Sequence, residues 1–168
     1  MVLKSDAPEV HHKTEADGVR LGLVDAEAVG SAYADLAGRL GPQVVVQHQA
    51  SGVEVALGVV ADPLLGPLVM VAAGGVLVEL VADRAVALPP VDRETALEMI
   101  GGLKVSTLLS GFRGAPPSDV GSLADTVVAL GRLVVELGDH LAGVDLNPVI
   151  VGSSSALVVD ALVLPRTR

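Results

Sequence analysis

The sequence predicts an α/β fold of the α+β kind, a mostly antiparallel sheet flanked by helices. Three observations carry this. Short apolar runs are separated by Gly, Pro, Ser and Asp punctuation, as strands joined by turns require. Two longer segments behind Asp25 and Asp119 repeat apolar residues at helical spacing, and Asp92 opens a third helical segment. The chain is 51% hydrophobic with one Phe, one Tyr and no Trp, so its interior must be built from Val, Leu, Ala and Ile, a mixture suited to sheets.

Taken in order, residues 1–3 read as the end of a strand. Residues 5–17 form a polar loop holding Pro8, His11, His12 and Lys13. A short strand is expected over 19–24, then a helix capped by Asp25 and running to Leu40. Ala28, Val29, Tyr33, Leu36 and Leu40 form its apolar stripe, and Gly41 and Pro42 end it. Residues 44–47, 53–60, 68–72 and 76–81 read as strands of one largely antiparallel sheet. Helices follow over 94–103, 105–109 and, longest of all, 119–141, where Leu123, Val127, Leu130, Val134 and Leu137 share a face. Strands over 144–151 and 156–164 close the chain, and Pro116 and Pro117 mark a loop rather than a linker.

Bulk properties exclude several functions. Eleven Lys and Arg against twenty Asp and Glu give a net charge of −9, which repels nucleic-acid backbones and anionic membrane surfaces. The most apolar stretch, 66–82, contains Pro67, Gly74, Gly75 and Glu79 and falls short of the roughly 20 residues of a membrane span, so it reads as a buried strand pair. Residues 1–10 carry Lys4, Asp6 and Glu9 and lack the apolar core of an export signal. Without cysteine there are no disulfides or thiolate metal sites, which fits a cytoplasmic protein. At 168 residues a single domain is expected.

The strongest chemical signal is Asp145, Asn147 and Pro148 followed by Asp160. If 152–155 is a hairpin turn centred between Ser153 and Ser154, Asn147 stands opposite Asp160 on one face, with Cβ atoms about 5 Å apart. A hard cation such as Mg2+ takes such a pair of oxygen ligands and completes its shell with phosphate and water. Asp160 also interrupts an apolar run, and a buried carboxylate without a partner costs several kcal/mol, so a compensating charge or donor is expected. An arginine partner for Asp160, or a turn shaped by Asn147 before Pro148, accounts for the same residues without metal.

Four stretches together resemble the ATP-grasp module of the acetate-CoA ligase (ADP-forming) family, the nucleoside-diphosphate-forming acyl-CoA synthetases: VLKSDAPEVHHKTEADGVRLGL, GVEVALGVVADPLLGPLVMVAAGGVLVELVAD, LLSGFRG and VDLNPVIVGSSSALVVDALV. The resemblance spans nearly the whole chain. It implies an ATP-grasp-like fold over 1–168 with a partial lid portion in 1–50 and a nucleotide- and metal-binding subdomain in 51–168. It further implies ATP or ADP and Mg2+ as ligands, and a CoA-binding domain or subunit as partner. The family's module begins with a helix and a strand pair ahead of VLK, so the resemblance implies weak ATP binding and no acyl-CoA synthesis by this chain alone. Unpaired sheet edges then invite a homo-oligomer.

Residue by residue, the resemblance gives Lys4 and Arg113 phosphate contacts and makes Gly18, Glu54, Gly74 and Gly75 nucleotide-binding. Glu79 lies toward the metal side, with an ion pair to Arg84 as the structural alternative, while Asn147 and Asp160 carry Mg2+. His12 stands at the phosphoryl-accepting histidine, a task suited to a neutral imidazole, with His11 beside it able to take that part. Asp62, Pro63, Gly66 and Pro67 match the loop after Glu54. The chain departs from the family in two places. Asp17 replaces the first of two loop glycines and sets a negative charge against nucleotide closure, and Ala87 replaces an arginine. In the full enzyme the resemblance implies reversible conversion of acyl-CoA, ADP and phosphate to acid, CoA and ATP through acyl phosphate and phosphohistidine. The alternative is a non-catalytic module kept for assembly or regulation, as in protein acyltransferases carrying a synthetase-like region.

Overall fold

Val2–Ser5 forms β1, the centre of a three-stranded antiparallel sheet in the order β2-β1-β3, with β2 at Val19–Arg20 and β3 at Val44–Gln47. Strand alternation sends Leu3 and Ser5 to one face and Val2 and Lys4 to the other. Leu3 is fully buried against helix α1, Ala26–Leu40, through Ala32 and Leu36. The Asp25 carboxylate accepts the Ala28 N–H at 2.8 Å and starts the helix. Gly41, at φ 100°, donates its N–H to the Ala37 carbonyl and stops it. The buried stripe runs through Ala32, so Tyr33 faces outward, 41% exposed.

The computed structural model describes residues 1–9, 13, 16–74 and 83–166, which fall into two units, Met1–Gln49 and Ala50–Arg168. The strand expected over 76–81 lies outside the described residues.

The second unit is built on a six-stranded antiparallel sheet in the order β6-β5-β4-β7-β8, with a further strand β9 also pairing β7. Its strands are β4 Val53–Asp62, β5 Gly66–Ala73, β6 Arg84–Ala87, β7 Leu141–Val151, β8 Ala156–Val158 and β9 Leu162–Pro165. Helices α2 (Arg93–Gly101), α3 (Ser106–Leu109) and α4 (Val120–Leu137) accompany it, and α2 and α4 pack on each other and on the sheet. Asp92 caps α2 by accepting the Thr95 N–H at 2.8 Å, and Asp119 caps α4 through the N–H and hydroxyl of Ser122. Leu123, Val127, Leu130 and Val134 of α4 meet Val55, Leu57, Val69, Val71, Val149 and Val151 in one core. Burying each such side chain contributes roughly 1.5–3 kcal/mol, which offsets the modest intrinsic propensity of a valine-rich helix. The Asp62 carboxylate accepts the N–H groups of Leu64 and Leu65 and shapes the turn between β4 and β5.

Several expectations are corrected. The strands separate into two sheets, because β3 pairs β1 rather than β4. The strand at 19–24 shrinks to two residues before Gly22 enters the left-handed region at φ 72°. The longest helix stops at Leu137, since Gly138 adopts φ 49°, and β7 begins at Leu141. Residues 84–87 form a strand where none was expected, with Ala85 and Ala87 packed on the core. Residues 156–164 split into β8 and β9 rather than running as one strand. The split faces Pro148, which has no N–H to offer a ladder. Its carbonyl instead accepts the Val159 N–H at 3.2 Å, and the Asp160 carboxylate turns back to the Ala161 N–H. Among the described helices none is long and apolar enough to cross a membrane.

Candidate functional site

Strands β4 and β7 divide the second unit's sheet into two faces. Val55, Leu57 and Val59 of β4, with Val144, Leu146, Val149 and Val151 of β7, point into the core under the helices. Alternation sends Glu54, Ala56, Gly58 and Asp145 to the other face, which no described helix of this unit covers. Gly58 is the register partner of Asp145, and Glu54 that of Ile150.

Between these pairs β7 carries an extra residue, for Val55 faces Val149 while Leu57 faces Leu146. Asn147 and Pro148, joined by a cis peptide bond, occupy this bulge. Bulges bend a strand and re-aim its side chains, and they recur beside active sites. On the far side β7 pairs Val149 with Val158 and Asp145 with Leu162. Counting inward from either pair brings Asn147 level with Asp160. The hairpin register read from the turn at 152–155 is therefore the one the fold adopts.

Partial burial and the nearby Asp160 charge push the Asp145 carboxyl above its ordinary value. A divalent cation relieves such like-charge crowding. Among the described residues no three carboxylate or imidazole groups converge to hold a metal. Asn147 and Asp160, level across the hairpin, could supply two oxygen donors to a cation that completes its shell with phosphate and water, as Mg2+ does. Asp145, named on sequence with Asn147 and Asp160 but given no ligand role there, belongs to this corner.

The other residues divide between the units. Gly74 donates its N–H to the Glu54 carbonyl at 3.0 Å, and a Cβ there would lie 2.6 Å from the Glu54 carbonyl carbon. The glycine thus has a steric reason of its own. Arg113 occupies the loop after α3 at φ 51°, its guanidinium 5.2 Å over the Phe112 ring. Ala87 faces the core, and Arg84, the register partner of Ala72, lies on the sheet face away from it. In the first unit Lys4 pairs with Val19 and Val45 on the sheet face away from α1. Gly18 beside it donates to the Lys13 carbonyl and accepts from Ser5 N–H. The expected sites His12, Gly75 and Glu79, and the alternative His11, lie outside the described residues.

Sequence reasoning missed a four-residue ion-pair network in the first unit. Arg20 holds Asp17 at 2.8 Å and Asp35 at 2.6 Å, and Arg39 holds Asp35 at 3.2 Å and Asp17 at 3.4 Å. Hydrogen bonding to Arg20 holds the Asp17 carboxyl below its ordinary value, and Arg39 and then Arg20 do the same for Asp35. The charge of Asp17, expected to oppose a nucleotide, is neutralised locally. The helical spacing of Asp35 and Arg39 was legible, but their joining to Asp17 depends on the fold.

Comparison with known proteins bears on what this corner belongs to. A sequence-family profile described as an ATP-grasp domain matches residues 1–164. The beta subunit of acetate-CoA ligase (ADP-forming) I from Pyrococcus furiosus is 33% identical over 174 residues, covering 96% of this chain and 73% of that subunit. The chain belongs to the ATP-grasp family, as the ATP-grasp portion of a nucleoside-diphosphate-forming acyl-CoA synthetase. The single-chain acetate-CoA ligase (ADP-forming) I of Archaeoglobus fulgidus is also 33% identical, and this ATP-grasp domain spans 24% of its length. The dinucleotide-forming acetyl-CoA synthetase 1 of Candidatus Korarchaeum cryptofilum, solved with coenzyme A and Mg-AMPPCP, superimposes with a TM-score of 0.87 at 36% identity. That match covers 99% of this domain and 76% of the solved chain.

Proposed function

We propose that this ATP-grasp domain binds Mg-ATP or Mg-ADP on the face of its larger sheet that points away from α2 and α4 and serves the nucleotide step of an acyl-CoA synthetase. The observation that carries the reading is the bulge that levels Asn147 with Asp160 beside Asp145. The K. cryptofilum enzyme, similar along 99% of this chain, was solved with a magnesium nucleotide, which supports the choice of ligand.

In this reading Asn147 and Asp160 would hold a divalent cation, which would supply positive charge beside the phosphates. Lys4 and Arg113 supply further positive charge, Gly18, Glu54, Gly74 and Gly75 frame the nucleotide, and Glu79 adds to the metal side. His12 relays the phosphoryl group between this domain and a CoA-binding domain or subunit of the same cytoplasmic synthetase. The overall reaction is acyl-CoA, ADP and phosphate to acid, CoA and ATP. The outer edges of β3 and β9, which pair no further strand among the described residues, favour homo-oligomer formation.

Calorimetric titration tests the site. Mg-ATP is expected to bind the wild-type chain, and Asp160→Ala is expected to abolish that binding while leaving the circular dichroism spectrum unchanged. Equal affinity in the Asp160→Ala chain refutes the metal assignment. Acid-labile label transferred from ATP and lost in His12→Ala but kept in His11→Ala identifies the relay imidazole.

A further inference from the structure

We infer that the outer face of α4 is a self-association surface, on which α4 of a second copy of this chain lies antiparallel about a two-fold axis. The surface belongs to a helix rather than to the edges of β3 and β9, and it does not depend on nucleotide binding. Helix α4 turns Leu123, Val127, Leu130 and Val134 into the core. The opposite stripe, at helical spacing, is Asp125, Ala129, Arg132 and Glu136, all exposed. Half-buried Val128 and Leu133 flank it, with Val135 57% exposed. Asp125, Val128, Ala129, Arg132, Leu133 and Glu136 line a depression of about 440 Å³. With alanine at its middle, such a stripe lets a second helix approach closely.

Charge decides both the occupant and the register. An axis between Val128 and Ala129 sets Asp125 opposite Arg132 of the second copy, and symmetry makes that contact twice. The same register sets Glu136 opposite Gly121 of the second copy. Arg93 lies over Gly121, since a Cβ there would stand 3.1 Å from Arg93 Nη2, and Arg93 Nε donates to Asp125 at 2.9 Å. Arg132 of one copy, Asp125 and Arg93 of the other, and Glu136 of the first then alternate in sign across the contact. Arg132 and Glu136 make no ion pair among the described residues of a single chain, so both are available. Sliding the helices by four residues one way sets Asp125 against Glu136. Sliding them the other way sets Arg132 against the Gly121 position, where Arg93 lies. Both neighbouring registers therefore bring like charges together. Exposed ion pairs contribute little affinity, so they select the register while burial of Val128, Ala129, Leu133 and Val135 holds the pair.

Sedimentation velocity of the full chain over a concentration series tests the surface. The wild-type chain is expected to show a monomer–dimer equilibrium. Arg132→Glu and Asp125→Lys each set like charges together at both ends of the contact, and each alone is expected to weaken the dimer at least about tenfold. An equimolar mixture of the two variants restores opposite charges at both ends and is expected to dimerise again. A wild-type chain that stays monomeric overturns the inference. So does a dimer that neither substitution weakens, which assigns association to the strand edges, and so does a mixture no stronger than its components. Cross-linking provides a second reading in an otherwise native chain. The sequence has no cysteine, so Ala129→Cys, beside the axis, is expected to form a disulfide-linked dimer under mild oxidation faster than Glu27→Cys on α1. Equal rates for the two variants overturn the assignment of the axis.

Discussion

Gly74→Ala tests whether the end of β5 is shaped by packing or by ligand. The added methyl carbon would stand 2.6 Å from both the Glu54 carbonyl carbon and the Val55 nitrogen, and 2.8 Å from the Glu54 oxygen. Non-bonded carbons settle at about 3.5–4.0 Å, so the ends of β4 and β5 must part by about 1 Å. Backbone on both sides leaves no flexible side chain to yield. Overpacking of this kind costs about 1–3 kcal/mol, and loss of the Gly74 N–H to Glu54 carbonyl bond adds about 1 kcal/mol. The sum, about 2–4 kcal/mol, lowers the melting temperature of a chain this long by roughly 5–15 °C. Thermal unfolding followed by circular dichroism reads this directly. Gly30→Ala is the control, since a Cβ there in α1 meets nothing within 4 Å and is expected to stabilise by about 0.5–1 kcal/mol. A Gly74→Ala chain that melts within 2 °C of wild type but binds Mg-ATP poorly would refute the packing argument and assign the glycine to the ligand.

Leu123→Ala removes a fully buried side chain where α4 meets the sheet and is expected to cost about 3–5 kcal/mol, seen as a lower urea midpoint at unchanged slope. Asp145→Asn probes the acidic corner through pH. Because the folded chain raises the Asp145 carboxyl, it binds that proton more tightly than the unfolded chain does. Its contribution to stability therefore falls as pH rises from the ordinary carboxylate value of 3.8 up through the raised one. Asp145→Asn is expected to be more stable than wild type at neutral pH and to lose part of the gain on acidification. Urea titrations across that range showing identical pH slopes for both chains would contradict it.

The legible parts of this fold are those fixed by neighbours in sequence. Asp25, Asp92 and Asp119 announced three helix starts because a cap acts within three residues. The turn at 152–155 set the β7 register because a hairpin turn dictates the pairing of both its strands. Features decided across the fold were not legible. The strand 84–87 is four residues long and exists because β5 offers an edge and the core accepts Ala85 and Ala87. The break after β8 depends on a proline in the opposing strand, and the assignment of 44–47 to its own sheet depends on β1 lying between β2 and β3. In the candidate site, the facing of Asn147 and Asp160 followed from counting, while the stress on Asp145 required knowing how much of it is buried.

The interruption between β8 and β9 separates two duties that one strand would otherwise share. Leu141–Val151 runs on as a continuous rail bearing the hydrophobic load through Val144, Val149 and Val151, while its neighbour gives up ladder bonds for only the three residues around Asp160. Substitutions at 159–161 can therefore move that carboxylate without loosening the interior. A synthetase lineage built on this scaffold is free to retune its cation corner by local changes at the periphery, with the load-carrying rail left as it is.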